Sequence, residues 1–310
     1  MAHYTRILLL ADPSLQRTPA LDAAARMAKA AGARLHINVF DASDTIAAMK
    51  WMQPDLAQPA MDAYTEVRRA WAVTEAQVLQ AQGIDAVGDA AWARPAIDEM
   101  LEQIGELKPD LVIKDVHHEP ALRRIFLTPL DWQLLRQCPA QLLLVNSAAA
   151  VPPRRVLAAI DPVRGGPGGH DFNRKIVQDA LGFAIQCDAE LHLVTAFDAA
   201  VLTGFGAAEA GAVVTTELFE TLRDSHRQVF DEVADAYGVP AGRRHFLYGP
   251  PAAAIAEFAG QHHTDVIAVG ASSRHGVERF LLGSTAESLC ENAPCNLLAI
   301  KPEGFAAAGA

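Results

Sequence analysis

The sequence predicts an α/β protein made of two tandem doubly wound parallel sheets, each of about five strands. Three observations lead there. The 310 residues are long for one domain and comfortable for two. Five segments recur, in the same order, about 150 residues further along the chain. Within each copy, short continuous apolar runs alternate with longer stretches of helical periodicity. That alternation is the pattern of βαβ units whose parallel strands are covered on both faces.

The recurring segments run in chain order. Arg6–Pro13 returns as Arg155–Pro162, and Ala33–Phe40 returns as Ala189–Phe197. Pro95–Ile97 returns as Pro251–Ile255, Pro109–Ile113 as Thr264–Ala268, and Cys138–Val145 as Ala293–Ile300. A period this long marks a duplicated domain and not a solenoid, because each copy can bury its own core. Ser147–Pro153, rich in small residues and proline, reads as the linker and divides the chain into residues 1–147 and 153–303. The apolar runs Ile7–Ala11, Leu35–Phe40, Leu111–Ile113 and Leu142–Val145 read as strands of the first copy. Thr18–Ala31, with Leu21, Ala24, Ala25 and Ala28 at helical spacing, reads as a helix, as do Tyr64–Gln82, Arg94–Leu107 and, in the second copy, Val214–Tyr237. Ligands of such sheets bind at the carboxyl ends of the strands, where the strand order reverses.

Composition narrows the partners. The net charge is −11 with charges scattered along the chain, which argues against a nucleic-acid or anionic-membrane surface. No apolar stretch is long enough to span a bilayer, and Ile7–Ala11 is too short for a signal-peptide core. Cys138, Cys187, Cys290 and Cys295 form neither a CxxC pair nor a dense framework, so free thiols and a cytoplasmic location are expected.

The residues that carry chemistry follow the second-copy strand Val266–Val269. Gly270 and small residues crowd the strand end, and Gly283-Ser284-Thr285 opens the next helix. Glycines let backbone N–H groups approach an anion, and a helix N-terminus adds unpaired donors and a positive dipole end. Ser284 and Thr285 add hydroxyls, and Arg274 adds a cation. The same glycines fit a plain turn and helix cap.

This segment resembles the signature of the universal stress proteins, G-x2-G-x9-G-[ST], through Gly270, the spacer Arg274–Leu282 and Gly283-Ser284. The tail Ala293–Pro302, with its proline turn and a last strand ending in Lys301, is similar as well. One position departs: Ser273 stands at the second glycine, where a Cβ restricts close approach. The resemblance covers essentially the whole chain and is to the tandem, E-type branch. It implies an adenine nucleotide alpha hydrolase-like, Rossmann-like fold and a stress-response protein that binds ATP or ADP, with Mg accompanying the nucleotide. It also implies Asp161, at the end of the first strand of the second copy, on the ribose and adenine side, and backbone near Ala196 against adenine. By residue type alone, Asp161-Pro162 fits a turn initiator. Pairing through the last strands, common in the family, implies that Leu142–Val145 and Leu297–Ile300 pair inside one chain as a pseudo-dimer, with homodimerisation through another face left open.

The first copy has lost the loop. Asp115 stands where the second copy has Gly270, Thr128-Pro129 where it has Gly283-Ser284, and Lys114–Trp132 contains no glycine. A carboxylate repels phosphate and a proline removes an N–H donor, so ATP binding by this copy is not expected. Thr128 is the expected cap of a helix that Pro129 opens. His117-His118-Glu119 offers imidazole and carboxylate for a divalent metal, or is a polar loop. His262-His263 reads as a solvated helix end, and Gly165–His170 as a lid or a flexible insertion. No nucleophile–His–acid arrangement or Walker lysine stands out. A slow ATPase, and a carrier of a lipid-like or nucleotide-sugar ligand with the apolar segment 199–219 lining its pocket, remain the alternatives to a nucleotide-binding stress protein.

Overall fold

The computed structural model describes residues 4–94, 96–119, 124–126, 128–146, 152–163, 169–198, 216–271 and 284–305, with backbone alone at 117–119, 124–126, 169, 170, 284 and 285. The chain divides into two compact units, one mainly His3–His118 and Phe126–Pro152, the other mainly Pro153–Gly304.

The first unit runs β1 (Arg6–Ala11), α1 (Pro19–Ala31), β2 (Arg34–Asp41), α2 (Asp44–Met52), α3 (Pro54–Gln80), β3 (Ala86–Trp92), α4 (Ala96–Leu107), β4 (Leu111–Glu119), β5 (Arg124–Phe126), α5 (Pro129–Gln137) and β6 (Gln141–Asn146). Its parallel sheet has the order β3-β2-β1-β4-β6. The second unit runs β7 (Arg155–Ala159), α6 (Gly169–Cys187), β8 (Glu190–Phe197), α7 (Thr216–Ala236), β9 (Arg244–Tyr248), α8 (Pro251–Gln261), β10 (Val266–Gly270), α9 (Ser284–Asn292) and β11 (Asn296–Ile300). Its strands follow the same parallel order, β9-β8-β7-β10-β11. The order reverses between β1 and β4 and again between β7 and β10, which fixes one switch point per unit.

The apolar runs become strands because both faces are covered. Ile7, Leu8 and Leu9 on β1, Leu111 to Ile113 on β4 and Leu297 to Ile300 on β11 are almost fully buried. Helix α1 starts at Pro19, where a missing N–H costs nothing, and stops at Gly32, whose φ of 63° suits a glycine C-cap. The repeat at Asp110 and Asp265 has a structural basis. Asp110 Oδ2 accepts from the N–H of Thr5 and Arg6 at 2.7 and 2.9 Å, and Asp265 Oδ2 accepts from Arg154 and Arg155 at the same distances. Each aspartate thus ties the entry of β4 or β10 to the start of the central strand beside it.

Three elements differ from the sequence expectation. Helix α3 begins at Pro54, ten residues before Tyr64, and continues through Pro59. Pro59, in the second turn, removes one ladder bond, while Ala57, Met61 and Thr65 bury one face. Helix α2 buries no residue, so it has no apolar stripe to read; Ser43 caps it by accepting from the Ile46 N–H at 3.4 Å. Strand β4 extends to Glu119, so His117-His118 lies on a strand and not on a loop.

Candidate functional site

The carboxyl ends of the strands at the two switch points present opposite chemistry. In the first unit, Asp115 follows the buried core of β4, and its carboxylate is turned onto the N-terminus of α1. Oδ2 accepts from the Thr18 hydroxyl at 2.5 Å and Oδ1 accepts from the Ala20 N–H at 3.0 Å. Thr18 is the N-cap of α1, yet its own side chain accepts no capping bond. Asp115 supplies the anion that the helix end attracts. Burial pushes the Asp115 carboxyl above the usual range, against the two hydrogen bonds, which favour its charged form.

The neighbouring helix start is filled in the same way. Thr128 and Asp131 form a capping box at the head of α5. Asp131 Oδ2 accepts from the Thr128 N–H at 2.7 Å and from its hydroxyl at 2.8 Å, and the Asp131 N–H donates to Thr128 Oγ1 at 3.3 Å. The Asp131 side chain is fully buried, and the Lys114 ammonium meets its Oδ1 at 2.8 Å. Lys114 also donates to the Asp115 carbonyl at 2.9 Å. Two helix N-termini at one switch point are therefore satisfied by the chain's own carboxylates. The sequence reading identified Thr128 and Pro129; the Thr-x-x-Asp spacing to Asp131 was the available signal for the full box.

Beside these groups lies a cavity of about 380 Å³ at the ends of β1, β2 and β4. Leu10, Phe40, Met100 and Leu130 are among its apolar walls; Asp12, Asp41, Asp44 and Asp115 bring carboxylates to it, and Arg94 and Lys114 bring cations. Most of this charge is already matched. Asp41 accepts from Arg68 Nε and from the Tyr64 hydroxyl, each at 2.7 Å, and the Arg68 guanidinium lies 3.3 Å above the Tyr64 ring. Arg94 pairs with Asp44. Asp12 Oδ1 accepts from the Ser14 N–H at 2.8 Å.

In the second unit, Gly270 ends β10 where the first unit has Asp115. A Cβ built on Gly270 would lie 2.5 Å from Phe172 Cε1 and 2.7 Å from Ile176 Cδ1, so the bare backbone makes room for α6. The glycine that the sequence reading assigned to an anion is thus also required for helix–strand packing. Ser284 opens α9, as the motif implied. Ser273, Arg274 and Gly283 lie outside the described residues, as do the side chains of Ser284 and Thr285, most of Gly165–His170, and residues 199–215 of the apolar segment.

Asp161 stands just past β7 with an exposed side chain, and Asn173 fixes its backbone. The Asp161 N–H donates to Asn173 Oδ1 at 3.2 Å, and Asn173 Nδ2 donates to the Asp161 carbonyl. Asn173 is 3% exposed, so it is a built support and not a surface contact. Ala196 is half-buried near the end of β8, in register with Leu247 of β9. Its neighbours Thr195 and Phe197 alternate onto the opposite face and meet α7. There Thr195 Oγ1 lies 2.9 Å from His226 Nε2, and the Phe197, His226 and Phe246 rings pack edge-on and stacked with centroids 5.4 to 6.3 Å apart. Burial lowers the His226 pKa while the Asp161 charge raises it. This aromatic cluster escaped the sequence reading, because its members lie on two strands and a helix with no shared spacing.

The candidate metal ligands His117, His118 and Glu119 are described by their backbone alone. Among the described residues no group of three or more His, Cys, Asp or Glu could hold a metal. His262 caps the end of α8, with its ring stacked 3.9 Å from Phe258. It adjoins His245, which stacks on His192 with the Nδ1 of His192 2.9 Å from its Nε2. Burial, then the charges of His192, His262 and Arg155, push His245 down to about 4. All four cysteines carry free thiols, and burial raises Cys187 to about 12. Among the described residues no helix is long and apolar enough to cross a membrane.

Comparison with known proteins agrees with the duplicated fold. A model of the universal stress protein family matches residues 3–146 and again 153–301. Universal stress protein E of Photorhabdus laumondii is 27% identical over 309 residues, spanning 98% of this chain and 97% of that protein. Its Escherichia coli K12 counterpart is 24% identical over 308 residues, spanning 98% and 96%. Among solved structures, a putative universal stress protein from Pseudomonas aeruginosa UCBPP-PA14 superposes with a TM-score of 0.73 at 23% identity, covering 97% of this chain and 94% of that one. One from Archaeoglobus fulgidus gives 0.66 at 17% identity, covering 96% and 98%.

Proposed function

The chain belongs to the universal stress protein family, with two family domains in tandem, and from that premise we propose that it is a stress-response binding protein that holds ATP or a related nucleotide in its second domain only. The observation that carries this reading is the contrast between the two switch points. In the first unit Asp115 and Asp131 occupy the helix ends that would receive a phosphate. In the second unit β10 ends on Gly270, which brings no charge, and α9 opens at Ser284. The first N–H groups of such a helix have no partner within it and favour an anion. Asp161, held by the buried Asn173, stands at the same strand ends as a hydrogen-bond acceptor for a ribose. Mg would accompany the phosphates of the nucleotide.

Calorimetry with ATP, ADP and AMP, with and without Mg, on the native chain and on Gly283→Asp, tests this. The expected result is binding below millimolar concentration that the substitution abolishes, because a carboxylate at the loop exit opposes phosphate. Absence of binding below millimolar, or equal binding by the variant, would remove the reading.

A further inference from the structure

Helix α3 is apolar on two sides. Ala57, Met61, Ala72 and Leu79 are buried on the face that packs on β3 and β2. At about 100° per residue, Leu56, Ala63, Val67, Ala70, Thr74 and Val78 share the opposite face, at steps of three, four or seven. All six are exposed, with Leu56 55%, Val67 59% and Val78 41% accessible. Thr74 brings the stripe its one polar side chain, and that hydroxyl donates to the Ala70 carbonyl at 2.7 Å, so it is satisfied inside the helix. No charged side chain falls on the stripe, although the outer face of a surface helix is ordinarily its charged one. From Leu56 to Val78 it runs about 33 Å at 1.5 Å per residue. Trp51 and Met52, 91% and 81% accessible, stand just before its head. With Leu56, Val67 and Val78 they leave on the order of 500 Å² in water, the size of patch at which interaction sites are found.

The stripe is its own complement. Its midpoint is Val67. A second α3, antiparallel and related by a two-fold axis there, sets Val67 on Val67, Ala63 beside Ala70 and Leu56 beside Val78. Steps of three and four let two helices interlock along one seam, and small residues such as Ala63 and Ala70 bring the axes close. The rim matches as well. Glu66 and Arg69, joined at 2.7 Å within the chain, lie along one edge of the stripe on either side of the midpoint. Like edges meet in an antiparallel pair, so each Glu66 comes beside Arg69 of the other copy. A partner of different sequence needs no such symmetry, whereas a second copy does.

We propose that the outer face of α3 is a homodimer interface, in which two chains pair antiparallel along Leu56–Val78 about an axis at Val67. It is independent of the nucleotide site proposed for the second unit.

Sedimentation of the full chain between about 1 and 100 µM tests it. The native chain is expected to be a dimer at about 10 µM. Val67→Glu, which sets two carboxylates at the axis, should be a monomer with an unchanged circular dichroism spectrum. Ile185→Glu, at a position 55% exposed on α6, should stay dimeric. Cross-linking under a mild oxidant reads the register. Val67→Cys should join two chains by a disulfide under conditions in which the native chain does not. Val78→Cys should not, while Leu56→Cys combined with Val78→Cys should. The proposal is overturned if the native chain is monomeric at about 100 µM, if Val67→Glu dimerises like the native chain, if Val67→Cys forms no disulfide between chains, or if Val78→Cys forms one as readily.

Discussion

Replacing Lys114 by Met leaves the Asp131 carboxylate buried with only Thr128 as its donor. The Asp131 side chain is 0% exposed and that of Lys114 is 16% exposed. Breaking a buried pair from one side typically costs about 3–5 kcal/mol, because the remaining charge has no compensation. The partial exposure of Lys114 and the two Thr128 bonds to Asp131 put this case near the lower end, about 3 kcal/mol. Asp131→Leu loses the same pair and the capping box, a further loss of about 1 kcal/mol. It leaves the ammonium its bond to the Asp115 carbonyl and some access to water, so about 3 kcal/mol again is expected. The double variant Lys114→Met with Asp131→Leu buries no orphaned charge and should cost about 2 kcal/mol less than the two single costs added together. The assay is set by the sequence. Trp51, Trp71, Trp92 and Trp132 all lie in the first copy, so urea unfolding followed by tryptophan fluorescence reads that unit by itself. A Lys114→Met cost below about 1 kcal/mol, or single costs that add in the double variant, would refute the assignment of Lys114 and Asp131 as a buried pair.

Gly88→Ala should cost more than about 3 kcal/mol by the same fluorescence assay, because its Cβ would lie 2.2 Å from the backbone C and O of Ala72 on α3 and neither can yield. Gly270→Ala should cost about 1–3 kcal/mol with no nucleotide present, read by circular dichroism, and Phe172→Leu should recover part of it; a neutral effect would reject the packing role. His245 is held neutral down to about 4, with His192 lowered beside it, so the folded chain binds fewer protons than the unfolded chain between pH 6.5 and about 4. Stability is therefore complete above 6.5 and falls as pH drops through that window. For this half-exposed ring, screened by water, His245 accounts for about 1–2 kcal/mol. Urea midpoints at pH 7 and pH 5 should differ less for His245→Asn than for the native chain, and an equal difference would count against it.

The duplication, the two parallel sheets and the strands β1, β2, β4 and β6 with their counterparts β7, β8, β10 and β11 were legible in the sequence because buried parallel strands read as uninterrupted apolar runs; the edge strands β3 and β9 were not, because their residues are mostly half-buried and carry no such run. Helix α2 was not, because none of its residues is buried and so no periodicity marks it. The start of α3 was not, because Pro59 reads as a break although the helix tolerates it in its second turn. At the candidate sites, the loss of the glycine loop in the first copy was visible as Asp115 and Thr128-Pro129. What replaced it was not. That Asp115 reaches Ala20, 95 positions away in the chain, depends on the crossover that brings the head of α1 over the end of β4. No local pattern encodes that contact. The dual demand on Gly270 is hidden for the same reason, since Phe172 and Ile176 precede it by nearly a hundred residues.

The first copy satisfies its helix ends from within the chain, Asp115 at the head of α1 and Asp131 at the head of α5, the counterpart of α9 in the second copy. A helix N-terminus above the carboxyl ends of a parallel sheet attracts an anion in either copy. A bound ligand supplies one only in proportion to its concentration, adding about 2.7 kcal/mol at a hundredfold excess over its dissociation constant. A side chain such as Asp115 supplies it permanently, and in doing so closes the position to phosphate. The first unit should accordingly be indifferent to nucleotide, while on the proposed reading the second is stabilised by it. Unfolding in saturating ATP, followed by tryptophan fluorescence for the first unit and by hydrogen exchange of β7, β10 and β11 amides for the second, separates the two. The expected outcome is an unchanged fluorescence midpoint with slowed exchange in the second unit. A fluorescence midpoint that rises with ATP, and still rises in Gly283→Asp, would mean that phosphate displaces Asp115 and that the first helix end is not closed.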